Sequence, residues 1–139
     1  MTPEEIIAAL DLVPHPEGGH FRQTWVAEGP GRPAGTCIYY LLARGERSHW
    51  HRVDAAEIWH FYAGDPLVMS VAESDRGPAR DHVLGADLAS GARPQILVPA
   101  GHWQAARPLG DWALAGCTVS PGFRFEGFEL ASPGFDIPR

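Results

Sequence analysis

The chain is divided into short runs of β-branched, aromatic and apolar residues, separated by clusters of Gly, Pro, Asp and Ser. That punctuation limits the fold more than any other feature, because runs this short cannot carry helices but can carry the strands of a sandwich or barrel. Candidate strands fall at residues 36–42, 48–52, 58–63, 67–73, 80–84, 95–98, 102–107, 112–119 and 123–130. Turn chemistry stands between them, as in Arg44-Gly45-Glu46, Gly64-Asp65-Pro66, Asp75-Arg76-Gly77-Pro78, Pro99-Ala100-Gly101 and Ser120-Pro121-Gly122. The 16 glycines and 13 prolines are scattered rather than concentrated, and no repeat or linker divides the 139 residues. One all-β domain is expected, large enough to bury its own core.

The start of the chain reads differently. Thr2, Pro3 and Glu5 form a helix start, with the Thr2 hydroxyl as cap, Pro at the first helical position and Glu5 closing the box. A short helix to about Leu12 is predicted, and the prolines and glycines of Val13 to Gly19 (VPHPEGG) then force a turn or loop. The run 36–42 (TCIYYLL) has no polar face, which predicts a strand covered on both sides, central in its sheet or at a subunit contact.

Charge and composition narrow the function classes. A formal net charge of -6 with no block of Lys or Arg argues against a nucleic-acid partner. No apolar run is long enough to span a bilayer, and Met1 to Leu10 lack the layout of a secretory signal, so a cytoplasmic location is expected. Cys37 and Cys117 have no partner at metal-site or redox spacing and read as small buried hydrophobes.

The chemistry concentrates around Ser48-His49-Trp50-His51-Arg52. Two histidines at i and i+2 on a strand send both imidazoles to one face. Glu57 opens the next strand, EIWHFYAG, whose alternation places Glu57, Trp59 and Phe61 on one face and Ile58, His60 and Tyr62 on the other. A hairpin would bring Glu57 across from the histidines, giving two imidazoles and a carboxylate, the facial triad suited to iron and compatible with zinc, manganese or nickel. The competing reading of His49 and His51 is an exposed pair facing water, and Glu57 could pair with Arg52 instead. In VPAGHWQAA, alternation puts His102, Gln104 and Ala106 on one face.

These residues resemble the first motif of the cupin superfamily, matched by His49, His51, Glu57 and Gly64, with five residues rather than three or four between the second His and the Glu. The second cupin motif is matched by Pro99 and Gly101, with Gln104 where the family has a metal-binding His. Gln offers a neutral carbonyl oxygen, a weaker ligand, so Gln104 is expected as a fourth ligand or as a substrate contact, with His102 on the same face. The segments 15–25, 48–67, 98–106 and 115–131 together resemble one small single-domain cupin family of largely unassigned function, often described as predicted sugar epimerases.

That resemblance implies a jelly roll (a double-stranded β-helix sandwich) spanning residues 15–131, after a helix and lead-in over 1–14 and before a tail over 132–139. It also implies a homodimer and a ligand cavity inside the barrel. Three readings of the function follow. A divalent metal on His49, His51 and Glu57, with Gln104, could act on a small polar, sugar-like or carboxylate substrate. A metal-free pocket could use a His as general base beside a carbonyl, as an epimerase or isomerase does, with Tyr39 or Tyr62 returning the proton. Or the protein only binds a ligand, with Trp59, Phe61 and possible stacking from Trp103 as walls, although core packing is the commoner role of such aromatics.

Overall fold

The computed structural model describes residues 1–139. It opens on helix α1 (Pro3–Leu10), followed by strands β1 (Val13–Pro14), β2 (His20–Val26), β3 (Thr36–Ala43), β4 (Ser48–Val53), β5 (Ala56–Gly64) and β6 (Leu67–Ala72). Strands β7 (Arg80–Leu84), β8 (Gln95–Val98), β9 (Trp103–Pro108), β10 (Trp112–Ser120) and β11 (Phe128–Leu130) complete the order. Two antiparallel sheets form a sandwich, one ordered β1-β2-β3-β10-β5-β8 and the other β11-β4-β9-β6-β7. This is the jelly roll expected of the sequence. No helix is long and apolar enough to cross a membrane.

The Thr2 hydroxyl accepts from the Glu5 amide at 3.2 Å and the Glu5 carboxylate accepts from the Thr2 amide at 3.2 Å, so the capping box is closed on both sides. The helix ends two residues earlier than predicted, because Asp11 turns left-handed at φ 56. Ile6 and Leu12 pack against Leu41, so the greasy outer face of β3 is covered from within the chain. Tyr40 and Leu42, on the other face of β3, enter the main core with Trp59, Leu67, Met69 and Leu84 between the sheets. Cys117 is buried there, and Cys37 is partly buried and free.

Two expectations need correction. The run 123–130 is not one strand: a 3-10 turn spans Phe125–Gly127 and only β11 remains extended. The turn fits because Phe123, Phe125 and Phe128 meet edge to face, with centroids 5.0, 5.8 and 6.1 Å apart, instead of alternating across a sheet. Gly127 also lies so close to the Asp54 side chain that a Cβ would collide with it. The second correction is β2, which lies between β1 and β3 where no strand was expected. Its burial pattern is mostly exposed, so it lacks the apolar alternation by which strands are read.

Candidate active site

The site begins with an irregularity in β4. Ser48 stands opposite Ala106 and His51 opposite Gln104, so β4 advances three residues while β9 advances two. The extra residue is a β-bulge, and a bulge cancels the two-residue alternation that would have kept both histidines together. Ser48 and His51 are buried at 0% and 2% exposure. His51 lines the barrel cavity, whereas His49 lines a different cavity on the outer side of the sheet, where its Nε2 lies 2.9 Å from the Ser132 carbonyl oxygen. The expected convergence of His49 with His51 and Glu57 therefore does not occur.

Strand β5 follows its predicted alternation, with Glu57 and Trp59 buried and Phe61 packed against the main core. Trp59 and Phe61 are core residues and not walls of the cavity, which corrects their assignment as ligand contacts. Gln104, 1% exposed, is held at both ends. Its Oε1 accepts from the Trp59 indole at 2.8 Å, and its Nε2 donates to Glu57 Oε1 at 2.8 Å. An indole can only donate, so it dictates which end of the amide faces Glu57.

These four positions do not fit a metal. His49 lies on the other side of β4, and the Gln104 carbonyl that would coordinate is occupied by Trp59. Nowhere in the chain is a group of three or more His, Cys, Asp or Glu side chains disposed to hold a metal ion. The remaining expected contacts also lie elsewhere. His102 borders a surface cavity with Glu73, Arg80 and His82, because the turn at Pro99 to Gly101 ends before β9 begins at Trp103. Tyr39 faces outward on β3, meeting Tyr62 at 6.3 Å between centroids and packing beside α1. Trp103 packs in a separate cluster with Trp50 and Ile137.

Two residues unassigned by the sequence reading take the vacated places. The segment Val13 to Gly19 does reverse the chain, and it also inserts His15 and Glu17 into the cavity, with side chains 5% and 9% exposed. Its backbone is pinned by hydrogen bonds from the His49 amide to the Glu17 carbonyl (2.8 Å), from the His15 amide to the Gly19 carbonyl (2.9 Å) and from the Tyr40 hydroxyl to the Gly18 carbonyl. The signal lay in Gly18-Gly19: both adopt positive φ, at 113 and 74, and a Cβ on Gly18 would overlap the Arg47 carbonyl oxygen. Gly18→Ala is accordingly expected to cost more than about 2 kcal/mol, lifting Glu17 off Ser48. A change below about 0.5 kcal/mol in urea unfolding would contradict this close approach.

Hydrogen bonding specifies the protons. The Glu17 amide donates to His15 Nδ1 at 3.1 Å, so that nitrogen carries a lone pair. Glu17 Oε1 lies 3.3 Å from the same nitrogen, while Oε2 accepts from the Ser48 hydroxyl. A protonated Glu17 can point its hydrogen at that nitrogen only by sharing the lone pair with its own amide. Burial is the main force raising the Glu17 pKa to about 8, opposed by the Ser48 hydrogen bond. Burial, reinforced by the nearby His51, lowers the His15 pKa to about 4. The 3.3 Å contact is therefore between neutral partners near pH 7, not a salt bridge.

His51 Nδ1 lies 2.8 Å from the His49 carbonyl and so donates to it, leaving Nε2 as the basic nitrogen. Glu17 Oε2 is a more distant neighbour of the same Nδ1, at 3.4 Å. Burial holds the His51 pKa below its ordinary value, against the pull of Glu57. Burial raises the Glu57 pKa to about 7, with His51 acting in the opposite direction. These groups border a cavity of about 350 Å³ walled by Phe21, Ile38, Val53, Val119, Phe123 and Phe128, with Arg22, Gln23 and Asp11 also on its lining. It has the form of a small-molecule site: apolar walls and a few polar groups gathered together.

The comparisons agree with this architecture. Residues 4–131 match the family model described as Cupin superfamily (DUF985). Protein SO0799 from Shewanella oneidensis is 42% identical, with 95% of this chain and 85% of that chain covered and a TM-score of 0.89. A hypothetical protein from Leishmania major is 32% identical, with 97% and 90% covered and a TM-score of 0.88. Oxalate decarboxylase from Bacillus subtilis shares the fold at 16% identity and a TM-score of 0.66, covering 84% of this chain and 29% of that one. Comparison with curated proteins finds no match. With the family model covering most of its length and the barrel built as above, the chain belongs to the DUF985 family of the cupin superfamily.

Proposed function

We propose that the chain binds a small molecule with an apolar body and a carbonyl or carboxyl end in the barrel cavity, and moves a proton on it in the manner of an epimerase or isomerase. His51 Nε2 is the base and Glu57 the acid. One observation carries this reading: an imidazole kept neutral by burial and a carboxyl raised to about 7 share the wall of one cavity. General acid–base catalysis is most effective when donor and acceptor lie near the working pH. Gln104 holds one Glu57 oxygen in place, and apolar side chains wall the cavity beside it.

Manganese(II) centres belong to the Bacillus subtilis oxalate decarboxylase, but a likeness at 16% identity supports the fold alone. The test is turnover of a panel of small sugars, 2-oxo acids and 2-hydroxy acids in deuterated water, with chelator present. Solvent deuterium is expected to enter the substrate, and Glu57→Gln is expected to slow exchange by about 10²–10⁴-fold. Turnover abolished by chelator, together with a near-stoichiometric metal in the purified protein, would restore the metal-dependent alternative. Saturable binding with no exchange would leave a ligand-binding protein without chemistry.

A further inference from the structure

The barrel cavity holds a polar group that the proton transfer leaves unused. The Glu17 amide facing His15 Nδ1 can only donate, so that nitrogen carries the lone pair and the ring hydrogen sits on Nε2. Nε2 has no hydrogen-bond partner in the protein, yet it is not sealed, since the one buried side-chain nitrogen or oxygen without a partner is His49 Nδ1. The space it opens on is the cavity that His15 lines with His51 and Glu57. By the same reasoning His51 Nε2 is open there too, because only its Nδ1 is engaged.

The His15 ring is fixed edge to face by Phe21 at 4.4 Å, Tyr40 at 5.7 Å and Phe128 at 6.3 Å between centroids. Phe128 also meets the His51 ring, at 5.5 Å, so one phenyl ring stands beside both imidazoles and sets them round the same end of the cavity. The two offer opposite chemistry: His15 presents a hydrogen and His51 a lone pair. Glu57, with Oε1 held by Gln104, presents a second hydrogen when protonated. No buried cation accompanies them. The one Lys or Arg on the lining is Arg22, exposed and 3.9 Å from Asp11, so a charged ligand group at the buried end would lack a counter-ion. Burial, with His51 nearby, holds the His15 pKa down to about 4, which keeps its ring a neutral donor.

We propose that His15 is a specificity-determining ligand contact that narrows the substrate of the proton transfer proposed above, on which this inference rests, to uncharged α-hydroxy ketones and aldehydes. The hydroxyl oxygen accepts from His15 Nε2 while the carbonyl oxygen faces Glu57. His51 Nε2 takes the hydrogen from the hydroxyl-bearing carbon, the C–H pair becomes the new C=C bond, and the carbonyl oxygen takes the Glu57 proton to give an enediol. Return of the first proton to carbon and of the second to Glu57 restores the carbonyl, so the step balances without oxidant or reductant.

The probes are 2-hydroxyacetophenone, acetophenone, which lacks the hydroxyl, and phenylglyoxylate, which carries a carboxylate in its place, each titrated into the intact chain. 2-Hydroxyacetophenone is expected to bind about tenfold or more tightly than either analogue, since a ketone leaves the His15 donor unmatched and a carboxylate finds no cation. His15→Phe is expected to reduce it to the level of acetophenone. If that variant fails to fold, the ¹⁵N resonance of His15 Nε2 in the parent chain gives the same answer, moving with 2-hydroxyacetophenone and not with acetophenone. His15-dependent binding without entry of solvent deuterium would keep the contact and remove the reaction it rests on. Deuterium exchange lost in Glu57→Gln but undiminished in His15→Phe would keep the reaction and overturn the contact. Equal affinities for hydroxyketone and ketone, tighter binding of phenylglyoxylate, or no binding at millimolar concentration would also overturn it.

Discussion

Trp59→Ala is expected to destabilise the protein by about 3–5 kcal/mol, the range for an aromatic removed from a core. Trp59 is 1% exposed, sits in the main cluster between the sheets and meets Tyr40 edge to face at 5.4 Å. A domain of this size has only about 5–15 kcal/mol of net stability, so the loss approaches unfolding. Trp59→Phe separates packing from hydrogen bonding. It fills much of the space but leaves the buried Gln104 Oε1 without its donor, a cost of about 1–3 kcal/mol. It also frees the amide to flip, so the Gln104 side-chain NH₂ resonance should shift or broaden. Urea unfolding of the two variants measures both effects. A Trp59→Ala loss below about 1 kcal/mol would place the indole outside the core.

Glu17→Gln is expected to gain stability relative to the parent as pH rises from about 4.5 to about 8. A folded pKa near 8 means that folded Glu17 holds its proton across a range where the unfolded chain, near 4.5, has released it. Its contribution is therefore fully present below pH 4.5, fades as pH climbs through 8, and is constant above that. The amide variant does not titrate, and its NH₂ and carbonyl can face His15 Nδ1 and Ser48 as the protonated acid does. Glu57 titrates in both chains, and because the Glu17 charge helps to raise its pKa, the divergence reports the two carboxyls together. Unfolding midpoints at pH 5 and pH 8 should diverge by an amount worth a few kcal/mol. Parallel stability curves would show that Glu17 ionises normally.

Much of the fold was readable from local rules. The capping box at Thr2 and Glu5, the two-sided strand β3 and the alternation of Glu57, Trp59 and Phe61 each follow from periodicity or turn chemistry acting over a few residues. Where reading failed, a contact distant in sequence decided the outcome. His49 and His51, at i and i+2, were expected on one face, yet the faces change within β4, through pairing with β9, which lies far off in sequence. Residues 123–130 have the composition of a strand, but a cluster of three phenylalanines bends them, and only glycine at 127 leaves room for the Asp54 side chain. His15 and Glu17 lay in a stretch legible as a turn, and only its close approach to β3 and β4 reveals their second duty. Gln104 was expected as a ligand or substrate contact. It instead bridges an indole and a carboxyl, a role invisible without both partners.

The pinned segment that carries His15 and Glu17 separates two inheritances. The strands supply His51 and Glu57 to the cavity, while one short crossing adds a second titratable pair beside them. Substitutions on that crossing can thus retune the polarity of the barrel's interior and leave the sheets untouched.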